Sequence, residues 1–394
     1  MRRLTIGLAL IVTACGQSQA QPASSLAPSA TATAGAPLLF AVLQAKDAAS
    51  PSQLNTVVIA GLDGHTIASA TFAPMPQPTT ACMGAVLQPS AHVAGGKVFY
   101  ADAKGVVRRL AINGAVTAVT TFPMTSNQQI LSFAVSPDGG TILGTIFTIP
   151  SNAFACDGSA SATAYTLDAY SATSGGSSRL VYHQSWTGSQ SVMALTGWDA
   201  IGPIGTYPTV WATQGGGPGS TLGVIVRIDA STVKPLAPFA GQGSCQVWQS
   251  VPSGAFVCTL APVQTAGGTS VQSTDSPVSV RRADGSEMWG FKLTSTNPAF
   301  GPFLAPDGPH VTICCADVAG PGYAQVVAGE DGSKATMAGG FTAAGWLDSQ
   351  TVIGYSHSDP LQQPPFSLGY IQSSDLGRFN SLDLYGEFVG TVRG

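Results

Sequence analysis

The sequence predicts an all-β protein, a seven-bladed β-propeller of four-stranded antiparallel blades, and three observations support this prediction. Charged residues make up only 9% of the 394-residue chain, against about 25% in an average soluble domain. Glycine (47) and proline (27) are abundant, as is typical of many short strands joined by turns. A hairpin with an Asp-Gly type of turn also recurs along the chain at a spacing typical of propellers.

The recurring unit is an outer hairpin of the form strand, Asp/Asn-Gly turn, strand ending in an aromatic residue. Its seven turns lie near positions 63, 113, 174, 230, 284, 331 and 374, about 43 to 61 residues apart. Asp-Gly and Asn-Gly pairs adopt the positive φ angles of tight hairpin turns without steric strain. The spacing suits one four-stranded blade per unit.

A second, inner hairpin lies between the outer ones, and FAVSPDGGTILGTIF (133–147) is its clearest copy. The segment 302–318 is its closest relative. Weaker copies occupy 92–103, 248–262 and 345–357. GWDAIGP (197–203) begins another copy, whose return strand we place at 209–214.

Five large aromatic side chains stand at matching positions before the inner turns: Phe133, Trp198, Trp248, Phe303 and Trp346. A single two-hairpin sheet cannot bury both of its apolar faces, whereas blades arranged in a ring bury them against each other. We therefore assign these aromatic residues to the core between blades rather than to ligand stacking.

The Ser-Pro-Asp-Gly hairpins resemble the TolB-type and WD-repeat-like propeller repeats of bacterial envelope proteins. The resemblance covers most of residues 40–390 and is closest at 133–144 and 302–313. It implies the propeller fold and does not specify a partner.

The strand count predicts how the ring closes. Before its outer hairpin, the first unit offers only one strand, LLFAVLQ (38–44), whereas a spare strand, EFVGTVRG (387–394), follows the seventh. We predict that this C-terminal strand is the innermost strand of the first blade and that residues 38–394 form one closed propeller. Unpaired edges between the first and last blades would otherwise favour aggregation.

The N-terminus predicts a lipoprotein signal peptide over residues 1–14. Two arginines precede an apolar segment, 4–12, that is too short to span a bilayer. VTAC (12–15) resembles the bacterial lipobox, which implies cleavage after residue 14 and lipidation of Cys15. Ordinary signal cleavage near Ala20, with Cys15 discarded, is the alternative.

The segment that follows Cys15 predicts a tether, so residues 15–37 form the lipidated Cys and a flexible linker. Residues 16–37 carry no charge and are rich in Pro, Ala and Ser. A flexible coil of this length spans roughly 25 Å. The expected localisation is export, with a lipid anchor in the bacterial cell membrane or outer membrane and the domain on the extracytoplasmic side. We expect the lipid to be the sole attachment to the membrane, because no apolar run approaches the roughly 20 residues of a spanning helix.

Six cysteines remain after Cys15, and an even number in an exported chain favours disulfides. Cys245 and Cys258 lie symmetrically about a predicted turn, so a hairpin would place them opposite each other. Cys82 and Cys156 lie in Pro/Ser/Gly-rich loops of successive units and could join neighbouring blades. The adjacent pair at 314–315 forms either a vicinal bridge or two thiols on opposite strand faces. A zinc site is less favoured, because no CxxC occurs.

Motifs that would mark an active site are missing from the sequence, so no catalytic residue, cofactor or metal ligand is assigned. GxSxG, HExxH, P-loop and EF-hand patterns do not occur. The five histidines fall in different units, and His357-Ser358-Asp359 is the one local cluster that contains a histidine and a carboxylate. Four aspartates precede glycine in turns and are expected to bond the backbone: Asp138, Asp284, Asp307 and Asp331.

Composition argues against some classes of function but does not identify the function. A formal net charge of −4 argues against nucleic acid, since phosphate binding needs clustered Lys and Arg. The longest insertions, at 149–163, 202–220, 261–277 and 358–366, are polar and nearly neutral. We therefore expect a monomeric binding scaffold for an envelope protein or glycan. The alternative is an exported hydrolase or lyase that acts on a sugar or lactone at the central channel, where single residues from several blades can meet.

Overall fold

The computed structural model describes residues 37–45, 54–75, 91–149, 164–187, 191–210, 224–232, 239–260, 263–264, 270–271, 275–294, 300–306, 308–317, 323–356 and 367–393. In these ranges the chain forms β-strands and turns and contains no α-helix. A helix long and apolar enough to cross a lipid bilayer is accordingly not found in this part of the chain.

The described strands are numbered β1 to β29 in chain order. The first half comprises β1 (Leu39–Ala45), β2 (Leu54–Gly61), β3 (Thr66–Thr71), β4 (Ala91–Ala94), β5 (Lys97–Ala101), β6 (Val106–Leu110), β7 (Val116–Thr121), β8 (Gln129–Val135), β9 (Thr141–Thr148), β10 (Tyr165–Thr173), β11 (Arg179–Trp186), β12 (Ser191–Trp198), β13 (Pro203–Val210) and β14 (Val224–Arg227). The second half comprises β15 (Cys245–Ser250), β16 (Phe256–Leu260), β17 (Val263–Gln264), β18 (Ser270–Val271), β19 (Asp275–Arg281), β20 (Glu287–Thr294), β21 (Phe300–Leu304), β22 (His310–Asp317), β23 (Tyr323–Gly329), β24 (Lys334–Thr336), β25 (Phe341–Trp346), β26 (Thr351–Ser356), β27 (Ser367–Gln372), β28 (Asp375–Tyr385) and β29 (Glu387–Val392).

These strands form the seven antiparallel blades of a propeller, which confirms the predicted fold. From the channel outward, the strand orders of blades 1 to 7 are β29-β1-β2-β3, β4-β5-β6-β7, β8-β9-β10-β11, β12-β13-β14, β15-β16-β19-β20, β21-β22-β23-β24 and β25-β26-β27-β28. Three strands of blade 4 lie within the described residues. The small hairpin β17-β18 interrupts the connection between the second and third strands of blade 5.

The C-terminal strand closes the ring as the sequence predicts. Strand β29 pairs antiparallel with β1, from Leu39 opposite Val392 to Leu43 opposite Glu387, with one irregularity after Ala41. The hydroxyl of Thr391 donates to the carbonyl oxygen of Leu347 in blade 7 (3.0 Å). The last strand therefore belongs to blade 1 and also bonds blade 7.

The core is divided among the interfaces between neighbouring blades. Seven hydrophobic clusters are present in the described residues, one at each interface around the ring. Phe133 is fully buried between blades 2 and 3, and Trp346 is 5% exposed between blades 6 and 7. The other three aromatic side chains singled out in the sequence, Trp198, Trp248 and Phe303, are partly buried in such clusters. Their assignment to the inter-blade core is confirmed.

The return strand of the inner hairpin in blade 4 differs from the prediction. It begins at Pro203, opposite Trp198, and not at 209. The carboxylate of Asp199 accepts hydrogen bonds from the backbone N–H groups of Ile201 (2.8 Å) and Gly202 (3.1 Å). Residues 199–202 therefore form a short turn, and the return strand starts directly after it. Pro203 can open the strand, because the first position of a strand tolerates a residue without an N–H.

A disulfide joins Cys245 to Cys258, the pair favoured by the sequence, with a Cα–Cα distance of 5.6 Å. The expectation that the two residues lie directly opposite each other is wrong. Cys245 faces Leu260 and Cys258 faces Val247, because the hairpin is centred on residue 253, with Ser250 opposite Phe256, and not midway between the two cysteines. The bridge is therefore diagonal across the hairpin. The remaining cysteine predictions, for Cys15, Cys82, Cys156 and the side chains at 314–315, lie outside what the structure describes.

Candidate functional site

The two faces of the ring are built from different kinds of chain connection. The described turns between first and second strands and between third and fourth strands lie at one face, here called the turn face, because the strands alternate in direction. The connections between second and third strands, and those between blades, belong to the opposite face, here called the loop face. Backbone bonds join neighbouring turns at the turn face, from Gly95 N to Pro137 O (3.0 Å) and from Ala200 N to Pro252 O (2.9 Å).

The predicted turn aspartates hold the backbone of the turn face. The carboxylates of Asp138, Asp284 and Asp331 each accept the N–H of the second residue after them at 2.9 Å. Hydrogen bonds from Ser136, Ser286 and Ser333 are the main reason that the pKa values of these three carboxyls lie below their usual value. Asp307 lies outside the described residues. Where described, these aspartates stabilise turns, as expected.

The central channel is bordered by strands that carry almost no charge. Glu387 is the one Asp, Glu, Lys or Arg residue in the described innermost strands β29, β4, β8, β12, β15, β21 and β25. It lies at the loop-face end of β29 and is exposed, although partial desolvation by the chain around it raises the pKa of its carboxyl. The hydroxyl of Tyr355 accepts the N–H of Phe388 (3.2 Å). Burial, followed by the charge of Glu387, raises the pKa of Tyr355 to about 12.

The four described histidines are not brought together. His65 is exposed, and His310 stacks on Trp346 with ring centroids 5.7 Å apart. His183 bonds Asp168 across the outer hairpin of blade 3 (2.6 Å), and its side chain is 56% exposed. His92 packs edge-on against Phe133, and burial lowers its pKa to about 4. The cluster at 357–359 lies outside the described residues. Within the described residues, no group of three or more potential metal ligands is found.

A groove of about 510 Å³ lies between blades 1 and 2, and its lining includes an ion pair and a tyrosine. One wall is the segment 69–73 at the end of β3, and the other carries Tyr100, Asp102 and Arg108. A cavity of this size falls in the range of small-ligand sites. β3 ends and Asp102 follows β5 at the loop face, so this end of the groove lies near that face, whereas Val116 lines it at the start of β7.

The polar wall of the groove is built around Asp102. Its carboxylate accepts hydrogen bonds from the N–H groups of Lys104 (2.9 Å) and Val106 (3.0 Å) and from the guanidinium of Arg108 (3.2 Å). The side chain of Asp102 is only 11% exposed, whereas that of Arg108 is 36% exposed. The buried carboxylate therefore fixes one side of a guanidinium whose other donors remain available.

Two aromatic side chains complete the groove. The rings of Phe72 and Tyr100 lie 5.1 Å apart, and both are buried. Burial is also the main reason that the pKa of Tyr100 is raised. Ser69 and Thr71 are exposed, but Ser69 pairs with Val58, which packs against blade 7, so both hydroxyls lie on the face of blade 1 that is turned away from blade 2.

Sequence reasoning missed two ion pairs, each assembled by strand pairing. Arg108 looks like an ordinary solvated strand residue, but a short turn after β5 brings Asp102 beside it. Arg227 bonds Asp199 at 2.6 Å, and their side chains are 8% and 1% exposed. A lone arginine in the apolar run VIVRI was a signal for the second pair, because a buried charge needs a partner.

No known family model matches the sequence, and no curated protein is similar to it in sequence. Several solved structures align with most of the chain. An oligogalacturonate lyase in complex with manganese aligns with a TM-score of 0.47 and 11% identity over 85% of this chain and 91% of its own. A second oligogalacturonate lyase, from Vibrio parahaemolyticus, gives 0.42 and 10% over 81% and 88%. A TolB-like protein from Agrobacterium tumefaciens gives 0.33 and 13% over 90% and 92%. At these scores and identities the likeness carries no argument about activity.

Proposed function

We propose that the protein is a lipid-anchored scaffold of the bacterial cell envelope that binds an envelope protein or glycan. The lipobox-like VTAC (12–15) and the uncharged segment 16–37 support an anchor at Cys15 followed by a tether. Two or three acyl chains anchor a protein stably where one is marginal. The propeller then stands on the extracytoplasmic side of the membrane.

The observation that carries the binding function is the groove between blades 1 and 2. It joins a guanidinium held by a buried carboxylate with a buried phenol on a scaffold of paired strands. The end of β3 and Asp102 lie at the loop face, where the strands that flank the insertions also end. This supports a shared binding surface, because loops on a rigid scaffold commonly carry binding residues.

The anchor is tested by metabolic labelling with a palmitate analogue in an expressing bacterium. We expect the wild-type chain to incorporate the label and partition with membranes, and Cys15→Ala to do neither. An unlabelled wild-type chain, or a labelled Cys15→Ala chain, contradicts the anchor.

The binding role is tested by capture from detergent-solubilised envelope extracts on immobilised residues 37–394, which form one compact unit. We expect a protein or glycan to be enriched by the wild-type fragment and depleted with Arg108→Gln. Arg109→Gln is the matched control, because adjacent strand residues point to opposite faces. If neither class of molecule is enriched under mild crosslinking, the scaffold role is wrong.

Glu387 favours a second candidate function, an exported hydrolase or lyase that acts on a sugar or lactone at the channel. A carboxyl with a raised pKa at a channel mouth, beside a phenol, suits proton transfer. Release of reducing ends or opening of a lactone by the wild-type chain, lost in Glu387→Gln, supports this alternative. If neither substrate class is turned over by the wild-type chain, the alternative is contradicted.

A further inference from the structure

We propose that the free edge of β3, at the groove between blades 1 and 2, binds an extended peptide segment of an envelope protein by strand addition. In this binding mode a peptide pairs its backbone with an exposed sheet edge. The inference rests on the proposed binding function and names the kind of partner, a protein that presents an extended segment.

The backbone of β3 alternates between groups that bond β2 and groups that point away from it. The N–H of Phe72 donates to the carbonyl oxygen of Asn55 at 2.8 Å, on the β2 side. Because the two strands are antiparallel, the direction of the backbone groups reverses at each residue. Ser69 and Thr71 therefore direct their N–H and C=O groups outward, away from β2.

The outward edge of β3 faces blade 2, which already bonds the chain just after the strand. The carbonyl oxygen of Ala73 has the same direction as those of Ser69 and Thr71, and it accepts the N–H of Ala103 at 3.0 Å. In the part of the chain that the structure describes, no group bonds the outward N–H and C=O groups of Ser69 and Thr71. Such a row of unpaired groups is a template for another strand.

The neighbouring interface shows what such an edge accepts. In blade 2 the carbonyl oxygen of Val119, in the outer strand β7, accepts the N–H of Gly175 from the outer turn of blade 3 at 2.8 Å. That turn runs over 172–178 between the paired residues of its hairpin, whereas the outer turn of blade 2 runs only over 111–115. Among the described residues this shorter turn makes no hydrogen bond to β3. The β3 edge is therefore left open to a chain from outside.

The wall of blade 2 indicates which side chains suit the added strand. Arg108 and Val116 both line the groove, and they are 36% and 45% exposed. Asp102 is only 11% exposed and already accepts three hydrogen bonds, one of them from Arg108. The accessible charge is therefore positive, and an aliphatic side chain lies beside it. A strand with an acidic and an aliphatic residue two positions apart presents both to this wall, because side chains alternate along a strand.

The test selects a phage-displayed library of random dodecapeptides on the immobilised 37–394 fragment, and the enriched peptides are synthesised with a fluorescent label. We expect them to share an acidic and an aliphatic residue two positions apart and to bind with a Kd of about 100 μM or tighter. Methylation of single backbone nitrogens in a bound peptide should weaken binding about tenfold at alternate positions only. The reason is that only alternate N–H groups of an added strand face β3.

A matched pair of proline substitutions tests the edge itself. Thr71→Pro removes an outward N–H and should weaken peptide binding about tenfold. Thr336→Pro is the control in the outer strand of blade 6. Its N–H also points outward, because the next residue, Met337, donates its N–H to Gln325 at 2.9 Å. Proline is tolerated in an edge strand where the N–H points away from the sheet, so Thr336→Pro should leave binding unchanged.

Several outcomes overturn the strand-addition site. They are the absence of any peptide enriched over a blank support, equal effects of methylation at every backbone nitrogen, and equal binding by Thr71→Pro and Thr336→Pro. Circular dichroism and thermal midpoints separate a binding defect from misfolding, and the methylation series uses the wild-type fragment. If an envelope protein or glycan is captured from extracts as well by Thr71→Pro as by wild type, the site is wrong and the scaffold role stands. If nothing is captured and no peptide binds, both are wrong.

Discussion

At the scale of single residues, buried charges determine where the ring is most sensitive to substitution. The carboxylate of Asp199 accepts hydrogen bonds from Arg227 and from Ser250 of blade 5, both at 2.6 Å. The guanidinium carbon of Arg227 lies 4.3 Å from the centre of the Phe239 ring. Removing one member of such a pair leaves the other charge buried without a partner.

We expect Asp199→Ala to lower the free energy of unfolding by about 3–5 kcal/mol. Asp168→Ala is the control, because it breaks a hydrogen bond with an exposed His183 and should cost less than about 1 kcal/mol. Urea denaturation followed by tryptophan fluorescence measures both. Equal losses for the two variants would contradict the structural role of the buried pair.

His92 gives stability a dependence on pH. Its pKa is about 4 in the folded protein, because burial disfavours the charged form, and about 6.5 when unfolded. Between these values the unfolded chain binds a proton that the folded chain does not, so stability falls as pH drops from 6.5 to 4. The loss approaches about 3 kcal/mol.

The comparison of wild type with His92→Gln isolates this contribution. Thermal midpoints measured from pH 7 to pH 4 should fall more steeply for wild type than for the variant. Parallel curves for the two proteins would show that His92 does not carry this pH dependence.

At the scale of secondary-structure elements, glycines in two innermost strands provide a matched pair. Gly197 and Gly345 both precede a tryptophan, and each follows a pairing irregularity. A Cβ on Gly345 would lie 2.7 Å from the ring of Phe388 in the C-terminal strand, whereas a Cβ on Gly197 would meet nothing within 4 Å. Contact with β29 is therefore the difference between them.

We expect Gly345→Ala to destabilise the protein by about 1–3 kcal/mol, because the tight packing around Phe388 must shift. Gly197→Ala should change stability by less than about 1 kcal/mol. Differential scanning calorimetry of both variants measures the effects. A neutral Gly345→Ala would mean that Phe388 does not pack against β25.

At the scale of the whole molecule, the sequence was sufficient for the architecture and insufficient for the site. Asp-Gly turns and alternating apolar residues determine a hairpin through residues that are close in sequence. The hairpins and the spare strand at 387–394 could therefore be predicted. The start of the return strand after Trp198 was predicted too late. The reason is that the hydrogen bond from the Ile201 N–H to the Asp199 carboxylate, which holds the turn, has no distinct signature in the sequence. The groove combines β3 of one blade with Tyr100 and Arg108 of the next. Sequence spacing does not encode such contacts between blades.

Closure of the ring by the C-terminal strand is the central claim, and a disulfide across the closure tests it most directly. Leu39 and Val392 are paired between β1 and β29, so Leu39→Cys with Val392→Cys should form an intramolecular disulfide under mild oxidation, identified by peptide mass spectrometry. In the control, Leu39→Cys with Glu387→Cys, the two positions lie roughly 17 Å apart along the strands and should not crosslink. Absence of the 39–392 disulfide, or equal crosslinking of the control, would contradict the closed ring.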